Sequence, residues 1–106
     1  MDDSSQILIP DAFAALYRSP RTGRLTLPRD ELAARHEFCE DLAQAMVEPA
    51  RAMLFRHGIA EDEVLRRCHL GLIGEGSGVR ADEAFWVACR LAELLEWSQP
   101  ETPAVG

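Results

Sequence analysis

The sequence predicts an all-α protein, a small antiparallel bundle of about four helices. Apolar residues recur at helical spacing, no stretch alternates with the period of two of a half-buried strand, and prolines and glycines separate the helical segments. The 106 residues are 47% hydrophobic and 27% charged, the balance of one soluble domain. We predict a single helical domain over residues 1–97 and a disordered tail over residues 98–106.

A short first helix is predicted to begin at Pro10 and Asp11. Proline needs no amide partner in a first turn, and aspartate favours the positive end of the helix. The apolar residues that follow at helical spacing are Phe13, Leu16 and Tyr17. Ser19 and Pro20 end this helix, and the turn-forming residues of segment 19–27 predict an irregular loop.

The second helix carries the longest apolar stripe of the sequence. Thr26 is a candidate N-cap, Pro28 stands in the first turn, and Gly58 marks the end. The stripe consists of Leu32, Cys39, Met46 and Met53, with His36, Ala43, Ala50 and His57 beside them. Pro49 interrupts the helix, but the apolar register continues, so we expect a Pro49-kinked helix or two helices that share one face.

Two further helices are predicted in the second half of the chain. The third begins with an acidic first turn at Glu61 and runs through Val64, Leu65, Cys68 and Leu72, and the glycine-rich stretch from Gly71 to Gly78 predicts a turn or loop. The fourth covers about residues 80–97. Its predicted inward face consists of Ala81, Ala84, Phe85, Ala88, Leu91 and Leu95.

The composition excludes several classes of function. The 11 residues counted as Lys or Arg are all arginine, so no lysine is available for a P-loop, a Schiff base or a general base. The formal charge of −7 argues against binding to nucleic acid or to an anionic membrane. The chain shows no secretory signal and no membrane span, and its three cysteines are widely spaced, so we expect a cytoplasmic protein with reduced thiols.

The charge is unevenly distributed along the chain. The window from Ala12 to Arg29 contains four arginines and no acidic residue, so it carries +4 and leaves −11 on the rest. The arginines are Arg18, Arg21, Arg24 and Arg29. Two interpretations are open: a surface that binds a partner's carboxylates or phosphates, or a loop that neutralises the protein's own acidic helices.

A metal or redox site is a second hypothesis. His36, Cys39 and Glu40 lie within about one helical turn, so they face the same side of a helix. Cys68 and His69 would complete the coordination from the next helix. The alternative is that the cysteines are small core residues, and the segment around His36 lacks the second histidine of an H-E-x-x-H motif.

The sequence contains no recognisable catalytic constellation. Residues 74–78 (Gly-Glu-Gly-Ser-Gly) precede a predicted helix, as phosphate-binding loops do, but no strand and no lysine accompany them, which favours a turn between helices. Ser77 lacks the context of a nucleophile elbow, and the cysteines have no local sign of activation. We therefore assign no catalytic residue and no cofactor.

The fourth helix has apolar residues on more than one face. Trp86, Leu94 and Trp97 lie outside its predicted inward stripe. Such a surface suits a protein partner or a second copy of the chain in a homodimer. The alternative is that the bundle encloses its last helix on most sides.

Three segments of the sequence carry a resemblance to a known group of proteins. They are residues 6–13 (QILIPDAF), 34–43 (ARHEFCEDLA) and 89–97 (CRLAELLEW). Together they resemble short proteobacterial proteins labelled "ATPase with chaperone activity", over most of the chain. The label implies ATP hydrolysis, but the sequence has no Walker A lysine and no strand for a Walker B carboxylate, so we transfer no catalytic residue. The resemblance implies association with a larger chaperone or ATPase machine.

These observations favour a small acidic adaptor or regulator that binds another protein and is not an enzyme. Its candidate contacts are the four arginines of the +4 window and the aromatic face of the fourth helix. The alternatives are an ATP-dependent chaperone component, as the resemblance implies, and the metal or redox site at His36 and Cys39.

Overall fold

The computed structural model describes residues 9–74 and 76–100. Its helices are α1 (Asp11–Ala15), α2 (Arg29–His57), α3 (Glu61–Ile73) and α4 (Ala81–Leu95). No strand is present in the described residues, so the prediction of an all-α protein with four helices is confirmed. Within the same residues, no helix combines the length and the apolar character that crossing a membrane requires.

The chain divides after Phe38 into two units. The N-terminal unit contains α1, the connection to α2 and the first residues of α2, and the C-terminal unit contains the rest of α2 with α3 and α4. Residues 98–100 of the predicted tail are described, whereas residues 101–106 lie outside the described residues.

The N-terminal unit is built around Phe13, which is completely buried. The ring centroid of Phe13 lies 6.0 Å from that of Tyr17 and 5.4 Å from that of His36. The rings of Phe13 and His36 are arranged edge to face. Leu32 and Ala14 are also buried. The first helix is shorter than the apolar spacing predicts, because it ends at Ala15 and the buried Tyr17 lies in the following turn.

The C-terminal unit has a core formed by three helices. Its buried members are Ala50 from α2, Val64, Leu65 and Cys68 from α3, and Leu91, Ala92 and Leu95 from α4. Met46, Met53 and Trp97 are partly buried and pack against this core. Burial of these apolar side chains is the main driving force for the assembly of this unit.

Helix α2 continues through Pro49 as one helix. Pro49 lacks the N–H that would donate to the carbonyl of Ala45, and both residues are exposed, so water can satisfy that carbonyl. The predicted stripe is largely buried: Leu32, Cys39, Ala43 and Ala50 are 0–1% exposed. His57 was expected in the stripe but is exposed, because it is the last residue of the helix.

Three local expectations at helix ends are corrected. Gly71 lies inside α3, whose last turn carries the buried Leu72. Ala81 is exposed because it is the first residue of α4. Thr26 does not cap α2: its N–H and its hydroxyl both donate to the carbonyl of Tyr17, at 2.6 and 2.9 Å.

Candidate functional site

The arginine segment, residues 18–29, begins as a closed turn of the N-terminal unit. Arg18 and Leu25 form an antiparallel bridge, and the N–H of Ser19 donates to the carbonyl of Arg24 at 2.8 Å. The N–H of Gly23 donates back to the carbonyl of Ser19 at 2.8 Å. Gly23 has a φ of 75°, a left-handed conformation that favours glycine at this point of the turn.

Two hydroxyl groups hold the tip of this turn. Ser19 Oγ accepts from the N–H groups of Arg21 and Thr22, at 3.2 and 3.4 Å. Thr22 Oγ1 accepts from the N–H of Arg24 at 3.2 Å. These bonds are the local side-chain turns typical of serine and threonine, so the backbone that carries the arginines has internal hydrogen-bond partners.

The four arginines of the segment are exposed, and no carboxylate of the described residues compensates their charge. Arg18 donates from Nη1 to the carbonyl of Gly23 at 2.9 Å, a neutral acceptor, and is thereby held against the turn. None of Arg18, Arg21, Arg24 and Arg29 forms an ion pair with a carboxylate in the part of the chain that the structure describes. All four are exposed. Within the described residues of the N-terminal unit, no contact supports the interpretation that the loop neutralises the protein's own acidic residues.

The arginines of the C-terminal unit behave differently. Arg51 pairs with Glu48, Arg66 and Arg67 with Glu63, Arg80 with Asp82, and Arg90 with Glu40 and Glu93. Of the arginines described in this unit, only Arg56 has no such pair with a described carboxylate. Among the described residues, ion pairing is therefore common for the arginines of the C-terminal unit and absent for the four arginines of the arginine segment.

The candidate metal ligands Glu40, Cys39 and Cys68 are hydrogen-bonded to other side chains or buried. Glu40 accepts from Arg90 with both carboxylate oxygens, at 2.8 and 3.0 Å, and also from Gln44 at 2.8 Å. Cys39 is completely buried, and burial raises the pKa of Cys68, which disfavours the thiolate that a metal binds. No group of three histidine, cysteine or acidic side chains suited to a metal ion occurs within the described ranges.

His69 was the other candidate ligand on α3. Its ring lies 5.6 Å from the ring of Phe85 on α4, edge to face, and burial lowers its pKa. Nε2 is buried without a hydrogen-bond partner among the described atoms. His69 therefore contributes to helix packing in this structure.

The N-terminus of α4 follows the glycine-rich connection, which the sequence predicts to be a turn between helices and not a phosphate loop. The N–H of Arg80 donates to Glu83 Oε1 at 3.0 Å, and the N–H of Glu83 donates to Asp82 Oδ1 at 2.8 Å. Glu83 is completely buried. Carboxylates of the helix itself thus occupy amides that a phosphate would need.

The fourth helix ends at Leu95 and not at residue 97, so Trp86 and Leu94 of the predicted aromatic face lie on α4 and Trp97 follows it. Trp86, Leu94 and Trp97 are half-buried, and Trp97 packs against the core of the C-terminal unit. The exposed large apolar side chains of the described residues are Phe38, Phe55, Leu70 and Ile73. Sequence reasoning missed them, although Phe55 stands two positions after Met53 of the stripe, which places it on the opposite side of α2.

Comparison with known proteins adds no assignment. No protein family, no curated protein and no solved structure matches the chain. The case for function therefore rests on the side chains described above.

Proposed function

We propose that the protein is a non-enzymatic interaction module, a small adaptor or regulator that binds another protein through the arginine segment. One observation carries the proposal: three exposed arginines, Arg18, Arg21 and Arg24, lie on an ordered turn, and the exposed Arg29 begins α2 a few residues later, with no carboxylate of the described residues paired to any of the four. Exposed guanidinium groups are effective contacts for a partner's carboxylates, because their forked donors bind both oxygens.

The order of the turn supports the same function. A flexible arginine loop loses conformational entropy when it binds, whereas a turn that is already closed loses less. Here Ser19 and Thr22 fix the backbone, and Tyr17, buried in the core of the N-terminal unit, holds Thr26 at the base of the turn. The arginines are thus presented on a preformed scaffold.

The experiment is affinity purification of the tagged protein from its native host at low salt, with mass spectrometry of the bound proteins. The test variant is Arg18→Ser/Arg21→Ser/Arg24→Ser. The matched control is Arg51→Ser/Arg66→Ser/Arg67→Ser, which changes the net charge equally but removes arginines paired with the protein's own carboxylates. The cytoplasmic localisation that we expect from the sequence and the resemblance described above make chaperone machines the first partners to search for.

We expect a partner that is retained by the wild type and by the control variant and lost from the loop variant. Retention of every partner by the loop variant would contradict the proposal. Loss from both variants would indicate a general effect of net charge and would contradict it as well.

A further inference from the structure

We infer that the arginine segment recognises a short acidic peptide segment of its partner, rich in aspartate or glutamate. The inference rests on the proposed function and specifies its ligand chemistry. It also assigns Ser19 as a positioning residue, which acts through the arginines and not by contact with the ligand.

Several backbone N–H groups of the turn are not available to a ligand. In the turn, the N–H groups of Ser19, Arg21 and Gly23 already have acceptors within the turn. Recognition therefore falls to the guanidinium groups of the side chains. Arg18 uses Nη1 for the carbonyl of Gly23, which leaves Nε and Nη2 without a partner among the described residues.

The charge and composition of the chain favour an acidic peptide over a nucleic acid as the anion that the arginine segment binds. A nucleic acid presents a continuous row of phosphates, and the −11 that the sequence carries outside the +4 window repels such a polymer. Proteins that bind single strands also provide aromatic rings for base stacking, and residues 18–29 include no aromatic residue. A short acidic peptide is small enough to interact with the positively charged arginine segment alone. Its binding is therefore favoured over that of a nucleic acid.

Ser19 holds the tip of the turn. Its hydroxyl accepts from two consecutive N–H groups, those of Arg21 and Thr22. Removal of this hydroxyl leaves every charge in place but loosens the tip of the turn. Binding should then weaken because ordering of the loop is added to the cost of association.

The test is fluorescence anisotropy with a fluorescein-labelled glutamate peptide of about eight residues, and a glutamine peptide of the same length as the neutral probe. Wild-type protein should bind the glutamate peptide, with an affinity that falls as salt rises from about 50 to about 200 mM. The loop variant should lose at least about tenfold in affinity, and Ser19→Ala about two- to fivefold. The control variant at Arg51, Arg66 and Arg67 should bind like the wild type.

Several outcomes would overturn the inference. Equal affinity of the wild type and the loop variant would show that the arginines do not form the site, and equal binding of the glutamine peptide would show that carboxylates are not recognised. Tighter binding of a labelled single-stranded oligonucleotide at the same salt would assign the segment to nucleic acid. Unchanged affinity in Ser19→Ala would remove the positioning role.

Failure of this inference is distinguishable from failure of the proposed function. If the glutamate peptide does not bind but a cellular partner still depends on the arginine segment, the interaction stands and only its acidic-peptide chemistry is wrong. Circular dichroism and thermal melting of each variant establish that a loss of binding is not a loss of folding.

Discussion

Arg90 of α4 and Glu40 of α2 form a bidentate ion pair within the C-terminal unit. Nε of Arg90 donates to Oε1 of Glu40 at 2.8 Å, and Nη2 donates to Oε2 at 3.0 Å. The two side chains are 33% and 24% exposed, so the pair is partly shielded from water. The pair ties two helices together and satisfies a carboxylate that the sequence alone suggested as a metal ligand.

This pair should contribute measurably to stability. A double-mutant cycle with Arg90→Ala and Glu40→Ala should give a coupling energy of about 1 kcal/mol, because the geometry is bidentate and the pair is partly buried. The measurement is urea unfolding of the wild type, both single variants and the double variant.

A second ion pair provides the control. Arg51 and Glu48 are 53% and 83% exposed and are joined by one contact of 3.2 Å, so their coupling should be smaller. Equal coupling in the two cycles would mean that bidentate geometry and partial burial do not strengthen the Arg90–Glu40 pair.

Two phenylalanines should respond very differently to truncation. Phe13 is completely buried in the N-terminal unit, so Phe13→Ala should lower the free energy of unfolding of that unit by about 3–5 kcal/mol. Phe55 is 88% exposed, and Phe55→Ala should change stability by less than about 0.5 kcal/mol. Thermal melting by circular dichroism compares the stabilities of the two variants. A large loss of stability in Phe55→Ala would indicate that a partner or a second copy covers this side chain in solution.

The local pattern of the sequence predicts most of the helices but not the partners of charged side chains. The stripe of α2 is visible in the sequence because helix period and burial coincide at Leu32, Cys39 and Ala43. The glycine-rich stretch predicts a loop from Gly71, but α3 continues to Ile73, since a glycine inside a helix and a glycine that ends one look alike in sequence. Buried Leu72 decides between them, and its burial depends on tertiary packing.

In the candidate site, the excess of charge can be predicted from the sequence but the ion pairs cannot. The excess of arginines between Ala12 and Arg29 can be read from the sequence. Whether those arginines pair with the protein's own carboxylates cannot, because an ion pair such as Arg90–Glu40 joins residues fifty positions apart. The buried Glu83 was missed for a related reason: only the structure shows that its carboxylate accepts from the N–H of Arg80.

The titration of Glu63 offers a test of the salt-bridge network on α3. Hydrogen bonds from Arg66 and then Arg67 lower the pKa of Glu63 from 4.5 to about 2. The carboxylate is favoured in the folded state, so its stabilising contribution is complete above about pH 4.5 and is lost as the pH falls towards 2.

Carboxyl-carbon NMR should give a midpoint near 2 for Glu63 in the wild type. In Arg66→Ala/Arg67→Ala the pKa of Glu63 should return towards 4.5, because both donors are removed. A Glu63 midpoint that stays low in the double variant would assign the shift to another donor.

Pro49 lies inside α2, and its replacement measures how much a proline inside a helix lowers the free energy of unfolding. Because α2 continues through Pro49 and the side chain is exposed, alanine at this position restores the N–H donor to the Ala45 carbonyl without disturbing the core. Pro49→Ala should therefore raise the free energy of unfolding by about 1–2 kcal/mol, the gain in helix stability being reduced by greater entropy of the unfolded chain. Pro28 is the matched control: it precedes α2, where no N–H is needed, so Pro28→Ala should bring no gain. Urea unfolding of both variants measures the difference, and a loss of stability in Pro49→Ala would contradict this expectation.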